Sequence, residues 1–461
     1  MPGRIDFTMG FNTHGAAHQR DGDAGYRIYI LGNFSGLARL PWEQRKISRL
    51  DMDNFEQVMS QIRPTLEFES GLSLRFESLE DFHPDNWLEK VGILADLQKL
   101  KQELSNPNTA AQAAAKIQTY FQVEAQADTA VPVQAEAESQ DELLERLLGK
   151  KPDTPVGTAD SVNKLIDHIV SPHVTKAIEP QHRDLIKLID STISQFLRTL
   201  LHCTEFQTLE ALWRATELLV REEAADQQNF FLVDIAQAEL LAELGNGSCA
   251  FEQKLLQHIQ PGDGEQDVLL IGDYGFSGGT DDKELLACCG RLAQACGASF
   301  LGGVEQAWVE NIIGAPEQAE NWRQYLKQIQ ADRVMLAYPR YLLRLPYGAN
   351  RDPIESLAFE ECSAMPLAEE LLWGNPAFIF ARALVRTGQT TGADDQFFFG
   401  EIPAFSFEQN GEQVLQPGTQ VVLSESQANN LLSLGIVPVI GYRQRRGIRV
   451  MSLSFLSEAG R

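Results

Sequence analysis

Apolar positions along this chain fall into distinct rhythms, and each rhythm predicts an element. Ile28, Tyr29, Ile30 and Leu31 form a short unbroken run of strand-forming residues closed by Gly32-Asn33, which predicts a buried strand and a turn. Asp51 to Met59 predicts a short helix with Asp51 or Asp53 as N-cap, stopped before Pro64. Leu66 and Phe68, then Leu72, Leu74 and Phe76, alternate with polar residues around Gly71 and predict a hairpin of half-buried strands. Asp81 to Asp85 reads as a turn. Beyond it Trp87, Leu88, Val91, Leu94, Leu97, Leu100 and Leu104 follow a helical period that ends near Asn106-Pro107, and an Ala-rich helix follows over 109–121. Residues 26–122 therefore read as a small α/β unit, preceded by a Gly-rich polar arm at 1–25.

The pattern then fades. Residues 123–160 are rich in Ala, Glu, Gln and Pro and read as a linker, with a weak edge strand suggested by Val131 and Val133. Within it Leu143, Leu144, Leu147 and Leu148 make one apolar stripe that stops at Gly149. So short a helix needs a surface to pack on. From residue 161 the period is helical, through VNKLIDHIV, the long stretch from His182 to Cys203, and 205–221. Short apolar strands at 229–236, 267–276, 298–304 and 333–340 then alternate with helical segments such as DKELLACCGRLAQACG. This alternation predicts a mainly parallel sheet. After Phe397, the segment VVLSESQANNLLSLGIVPVIGY reads as strand, helix, strand. The fold class is α/β: two α/β units joined by a linker, the second (161–461) opening with long helices.

Charge and chemistry narrow the function. The chain has 39 Lys and Arg against 64 Asp and Glu, a formal charge of −25, which opposes nucleic-acid binding. Six cysteines occur without a CxxC pair; Cys288, Cys289 and Cys296 sit where a buried helix is expected, as small hydrophobes in a reducing compartment. The N-terminus has no apolar signal core, and no apolar run is long enough to cross a membrane, so no membrane insertion and a cytoplasmic location are expected. Ile271 to Leu286 places glycines between a strand and a helix, but the spacing gives neither GxGxxG nor Gly-Lys-Ser/Thr. Asp281 and Asp282 would cap that helix and repel a phosphate. The doublets Glu360-Glu361 and Glu369-Glu370, near Arg340, Arg344 and Arg351, read as ion pairing rather than as an acid and base in a cleft. His168, His173 and His182 do not have zinc spacing. No catalytic, cofactor-binding or metal residue is assigned, and the chain does not read as an enzyme.

Specific strings carry a resemblance. Ile30-Leu31-Gly32-Asn33-Phe34-Ser35-Gly36, Asp53-Asn54-Phe55 with Met59 and Pro64, and Ser78 to Leu88 resemble the small subunit of the type VI secretion contractile sheath, TssB, with Asn33 where that family has Asp. Leu201 to Arg214, Ile271 to Phe276, Tyr338 to Gly348 followed by Phe359-Glu360-Glu361, Leu372 to Phe378, and Leu431 to Pro438 resemble the large subunit, TssC. The strings keep one collinear order over roughly 26–440, so the chain resembles both sheath subunits fused in one polypeptide.

The resemblance implies a structural protomer that assembles with like subunits, itself or TssB- and TssC-type chains, by strands donated between neighbours. A fusion would fix the ratio of the pair and raise their effective concentration. It implies that Trp213, Arg214, Arg340, Arg344, Tyr347, Glu360, Glu361, Trp373 and Phe378 serve packing or interfaces. It also implies as partners an inner tube protein, a baseplate, and a ClpV-type recycling ATPase that would grip the Leu143-Leu144-Leu147-Leu148 helix. The family continues past the last matched segment, whereas this sequence stops at Arg461. The alternative expectation is therefore a sheath-associated cap or assembly regulator that does not itself polymerise.

Overall fold

The computed structural model describes residues 25–123 and 182–456, apart from the short stretches 38–39, 42–43, 69–70, 107–108, 224–227, 246–249, 260–266, 330 and 388–396. Its frame is a nine-stranded sheet. From one edge to the other the strands are Phe398–Phe399, Ile448–Val450, Ile436–Gly441, Val334–Tyr338, Ala298–Val304, Asp267–Phe276, Tyr26–Gly32, Asn229–Asp234 and Ser48–Leu50. The six inner strands from Ile436–Gly441 to Asn229–Asp234 run parallel, and the flanking strands pair antiparallel.

The strand at Tyr26–Gly32 does not begin a sheet of its own. It lies between two strands of the later segment, with Ile30 opposite Leu232 on one side and Ile271 on the other. The two segments read from the sequence thus share one sheet. The unbroken apolar run from Ile28 to Leu31 is suited to this place, because a central parallel strand is covered on both faces.

Alternate residues divide the core into two layers. Ile28 and Ile30 face one layer, which holds Leu232, Ile271, the helices His182–Leu201, Thr204–Glu223 and Pro376–Thr387, and the apolar residues of 50–117. Tyr29 and Leu31 face the other, with Leu270, Phe300 and the helices Gln237–Gly245, Ala250–Ile259, Thr280–Ala295, Gln306–Gly314, Pro316–Leu326 and Glu425–Ser433. Cys288 and Cys289 are buried in this second layer, and burial pushes both thiols up.

Several local expectations shift. The helix expected from Trp87 to Leu104 is two helices, Pro84–Lys90 and Gly92–Ser105, because buried Val91 takes an extended conformation between them. The helix expected from Asp51 begins at Phe55; Asp51 instead accepts from the backbone N–H groups of Asp53 and Asn54, forming the turn ahead of the helix. Asp282 does not cap its helix but accepts from the backbone N–H and hydroxyl of Ser277. Residues 421–423 form no strand. The hairpin of Thr65–Glu67 and Ser73–Arg75 lies where the alternation placed it. Val131, Val133, the Leu143-Leu144-Leu147-Leu148 stripe and VNKLIDHIV lie outside the described residues. Among the described residues no helix is long and apolar enough to cross a membrane.

Candidate functional site

The helix Thr204–Glu223 is where the two segments meet. Its sequence, TEFQTLEALWRATELLVREE, spaces Phe206, Leu209, Trp213 and Val220 on one stripe, all of them buried. Aromatic side chains of the first segment close on that stripe. Phe34 and Phe55 meet the Trp213 indole edge-on, with ring centroids 5.0 and 5.7 Å away. Phe82 and Trp87 meet Phe206 in the same way at 5.7 and 5.0 Å. Such edge-to-face pairs add specificity to the apolar burial. The Trp213 indole N–H donates to the Phe34 carbonyl at 3.1 Å, so the one polar atom of the ring is satisfied inside the core.

The turn after the central strand is built for this approach. A Cβ at Gly32 would fall 2.8 Å from Leu212 Cδ2 of the same helix. At Gly36 the backbone has φ +70° and a Cβ would stand 2.5 Å from the Thr65 carbonyl oxygen. Ser35 donates its N–H to Asp234 at 3.1 Å, and Arg45 forms a two-pronged contact with Glu239 at 2.8 and 3.0 Å, tying the turn to the Asn229–Asp234 strand and the helix beyond it.

Next to Trp213, the same helix carries a buried charge network. Arg344 forks to two carboxylates: its Nε lies 2.8 Å from Glu210 Oε1, and its Nη1 lies 2.8 Å from Glu361 Oε2. Arg214 adds a 2.7 Å bond to Glu210, and the Tyr347 N–H donates to Glu361 at 2.7 Å. The Arg344 guanidinium also lies 4.2 Å from the centroid of the Tyr347 ring. Glu210 and Glu361 are buried. Burial acts to raise the Glu210 carboxyl, but Arg344 and Arg214 outweigh it and hold it below the usual range. Burial prevails at Glu361 and raises it despite Arg344. The first segment reaches this network through His83, whose ring meets Tyr347 edge-on at 4.8 Å.

A second network closes the other end of the helix. Fully buried Arg382 donates to Glu223 at 2.8 Å and to Glu401 at 2.5 Å, and Arg386 adds a 3.0 Å bond to Glu223. Both guanidinium groups stack near Phe399, at 4.9 and 4.6 Å from its centroid.

Of the residues singled out from sequence, Trp213, Arg214, Arg344, Tyr347 and Glu361 come together here. Arg340 does not; it pairs at 2.8 Å with Glu305, and both are partly exposed. Glu360 is exposed and accepts from the Ala349 N–H at 3.0 Å. Buried Trp373 donates its indole N–H to the Ala368 carbonyl at 2.7 Å, and Phe378 lies in the core of the Pro376–Thr387 helix. Sequence reading missed Glu210 and the Arg382 network. The signal for Arg382 was present: a lone arginine inside PAFIFARAL, an otherwise apolar helical stretch, needs a buried partner. Among the described residues no cluster of His, Cys, Asp and Glu is arranged to hold a metal ion.

Comparison with known proteins adds family context. Residues 183–454, more than half of the chain, match the VipB (EvpB) family, tail sheath N-terminal domain. Residues 2–129 match the VipA family of the type VI secretion system. The chain is 26% identical over 302 residues to the type VI secretion system sheath protein TssC1 of Pseudomonas aeruginosa, an alignment covering 59% of this chain and 60% of that relative. The chain thus spans about 60% of the length of the curated relative it matches.

Proposed function

The chain belongs to the type VI secretion tail-sheath family, with a VipA-type and a VipB-type segment in one polypeptide, and from that premise we propose that it is a fused structural protomer of a contractile sheath. The observation that carries this reading is the position of Tyr26–Gly32 between Asn229–Asp234 and Asp267–Phe276. A strand of the small-subunit segment inside the sheet of the large-subunit segment makes the two an obligate pair. Fusion then holds the pair at one-to-one ratio and high effective concentration.

In this proposal the stretch around 123–160 is the tether, the Trp213 and Arg344 clusters fix the pair as one rigid body, and the work is mechanical rather than catalytic. The protomer assembles with like subunits in the cytoplasm, around a tube protein and on a baseplate. The stripe Leu143-Leu144-Leu147-Leu148 is a docking helix for a ClpV-type ATPase; a peptide of residues 138–152 that fails to bind the N-terminal domain of such an ATPase would remove that part. Negative-stain electron microscopy of the purified full-length protein tests the whole: hollow tubes are expected, and particles that stay single in all conditions oppose it.

A further inference from the structure

In a chain of net charge −25, most arginines at the seam are matched by carboxylates: Arg45, Arg214, Arg344, Arg382 and Arg386 each form an ion pair. One short segment differs. The turn joining Ile436–Gly441 to Ile448–Val450 reads Tyr442-Arg443-Gln444-Arg445-Arg446-Gly447, and all three arginines are exposed. None has a carboxylate partner among the described residues. The Arg445 guanidinium instead lies 4.1 Å from the Phe398 ring centroid and 5.7 Å from that of Tyr442, both half-buried. The turn therefore presents positive charge with no carboxylate partner among the described residues, beside an aromatic platform at the carboxyl end of the parallel strands. Arginine with aromatic side chains is the composition of an interface.

A complementary surface exists on the same chain. Asp352, Glu355 and Glu369 are exposed. Glu355 lines a groove of about 330 Å³ between Ala349 and Phe359, Asp352 directly precedes its lining residue Pro353, and Glu369 lies on the loop that the Cys362 thiol holds through the Glu370 carbonyl. Met365 and Leu367, 53% and 59% exposed, stand in the adjoining loop. That loop is held in shape by Glu370, which accepts from the Leu367 N–H at 2.8 Å and the Ser363 hydroxyl at 2.9 Å. Of the basic side chains nearby, Arg351 lies 4.5 Å from the Phe405 ring centroid and 4.0 Å from Glu360, and Arg198 donates to the Glu360 carbonyl at 2.8 Å. His83 Nε2 lies 3.7 Å from Asp352, and no basic side chain among the described residues pairs with the Glu355 or Glu369 carboxylate. Carboxylates flanked by exposed Met and Leu match arginines flanked by Tyr and Phe in both charge and polarity.

We propose that the 442–446 turn docks on the carboxylate-rich face at Asp352, Glu355 and Glu369 of a second copy of this chain. Two different surfaces that fit each other make a head-to-tail contact, which propagates rather than closing as a symmetric pair. The inference rests on the sheath reading and names one contact through which copies recognise each other. Because both surfaces are exposed, the contact weakens with salt.

The test uses full-length protein, with assembly followed by sedimentation velocity and electron microscopy, and folding checked by circular dichroism. The double variant Arg443→Glu/Arg446→Glu is expected to raise the concentration needed for assembly about tenfold or more. Mixing it with Glu355→Arg/Glu369→Arg, itself impaired alone, is expected to restore assembly. A folded arginine variant that assembles like the parent overturns this contact and leaves the sheath reading standing. So does one that assembles normally but loses binding to a separately purified tube protein, since the turn then serves that partner. Two impaired variants that fail to rescue each other overturn the pairing with this acidic face. A parent protein that never self-associates, even at low salt, removes both the contact and the sheath reading.

Discussion

The indole N–H of Trp213 donates a 3.1 Å hydrogen bond to the backbone carbonyl of Phe34, a residue 179 positions earlier in the chain. The bond joins the small-subunit segment to the large-subunit segment inside the buried core, with Phe34 and Phe55 packed edge-on around the ring. Trp213→Phe keeps most of the apolar contact but leaves the Phe34 carbonyl without its donor, at an expected cost of about 1–3 kcal/mol. Trp213→Ala also opens a cavity and should cost about 3–5 kcal/mol. Denaturant unfolding of the two variants checks both the order and the gap between them.

The shared sheet predicts the outcome of cutting the chain. A protease site placed between 124 and 181 should yield two fragments that remain together on size exclusion without denaturant, because Tyr26–Gly32 is hydrogen-bonded on both sides to strands of the other fragment. Fragments that separate as folded species would contradict the arrangement.

The Glu210–Arg344–Glu361 network predicts an asymmetry. Arg344→Met leaves two buried carboxylates short of their main cation and should cost about 3–5 kcal/mol. Replacing Arg344, Glu210 and Glu361 together with apolar residues of similar size should recover much of that loss. A triple variant as unstable as the single one would show that the network does more than neutralise itself.

Acid sensitivity follows from His202. Burial pushes its imidazole down to about 4, with Glu370 opposing only in part, and its Nε2 has no hydrogen-bond partner among the described residues. In the unfolded chain the ring titrates near its ordinary value of about 6.5. Between the two values the unfolded state binds the proton that the folded state refuses. The stability is therefore intact above about pH 6.5 and falls as pH drops toward 4, by about 3 kcal/mol at the bottom of that window. His202→Gln should flatten this part of the profile, measured as the difference in thermal midpoint between pH 7 and pH 5.

Gly36 is expected to resist substitution. Its φ of +70° and the Thr65 carbonyl oxygen 2.5 Å from any Cβ mean that Gly36→Ala meets both backbone strain and a steric contact with backbone. A loss of about 1–3 kcal/mol in chemical denaturation is predicted.

How much of this was legible in the sequence depends on the range of the interaction. The parallel strands could be located because a strand buried on both faces must be apolar at every position, as in Ile28 to Leu31 and Val268 to Ile271. Their order could not, because nothing local in YRIYILG states that its neighbours lie more than two hundred residues away. The Tyr338 to Gly348 and Phe359 to Glu361 strings drew attention to Arg344, Tyr347 and Glu361. Glu210 stayed hidden because Glu210 and Arg214, four apart on a helix, look like an exposed surface pair. Burial by a distant loop turns that pair into the centre of a network. Arg340 and Glu360 were grouped with them by sequence proximity, but each side chain points to a different neighbourhood.

In the proposed protomer, one chain supplies both halves of the sheath unit within one sheet. A cryo-electron-microscopy reconstruction of full-length assemblies tests this most directly. Hollow tubes are expected, with one chain per repeating unit and Tyr26–Gly32 seated between Asn229–Asp234 and Asp267–Phe276 of that unit. Particles that never form tubes, or tubes in which that position is filled by another chain's strand, would contradict it.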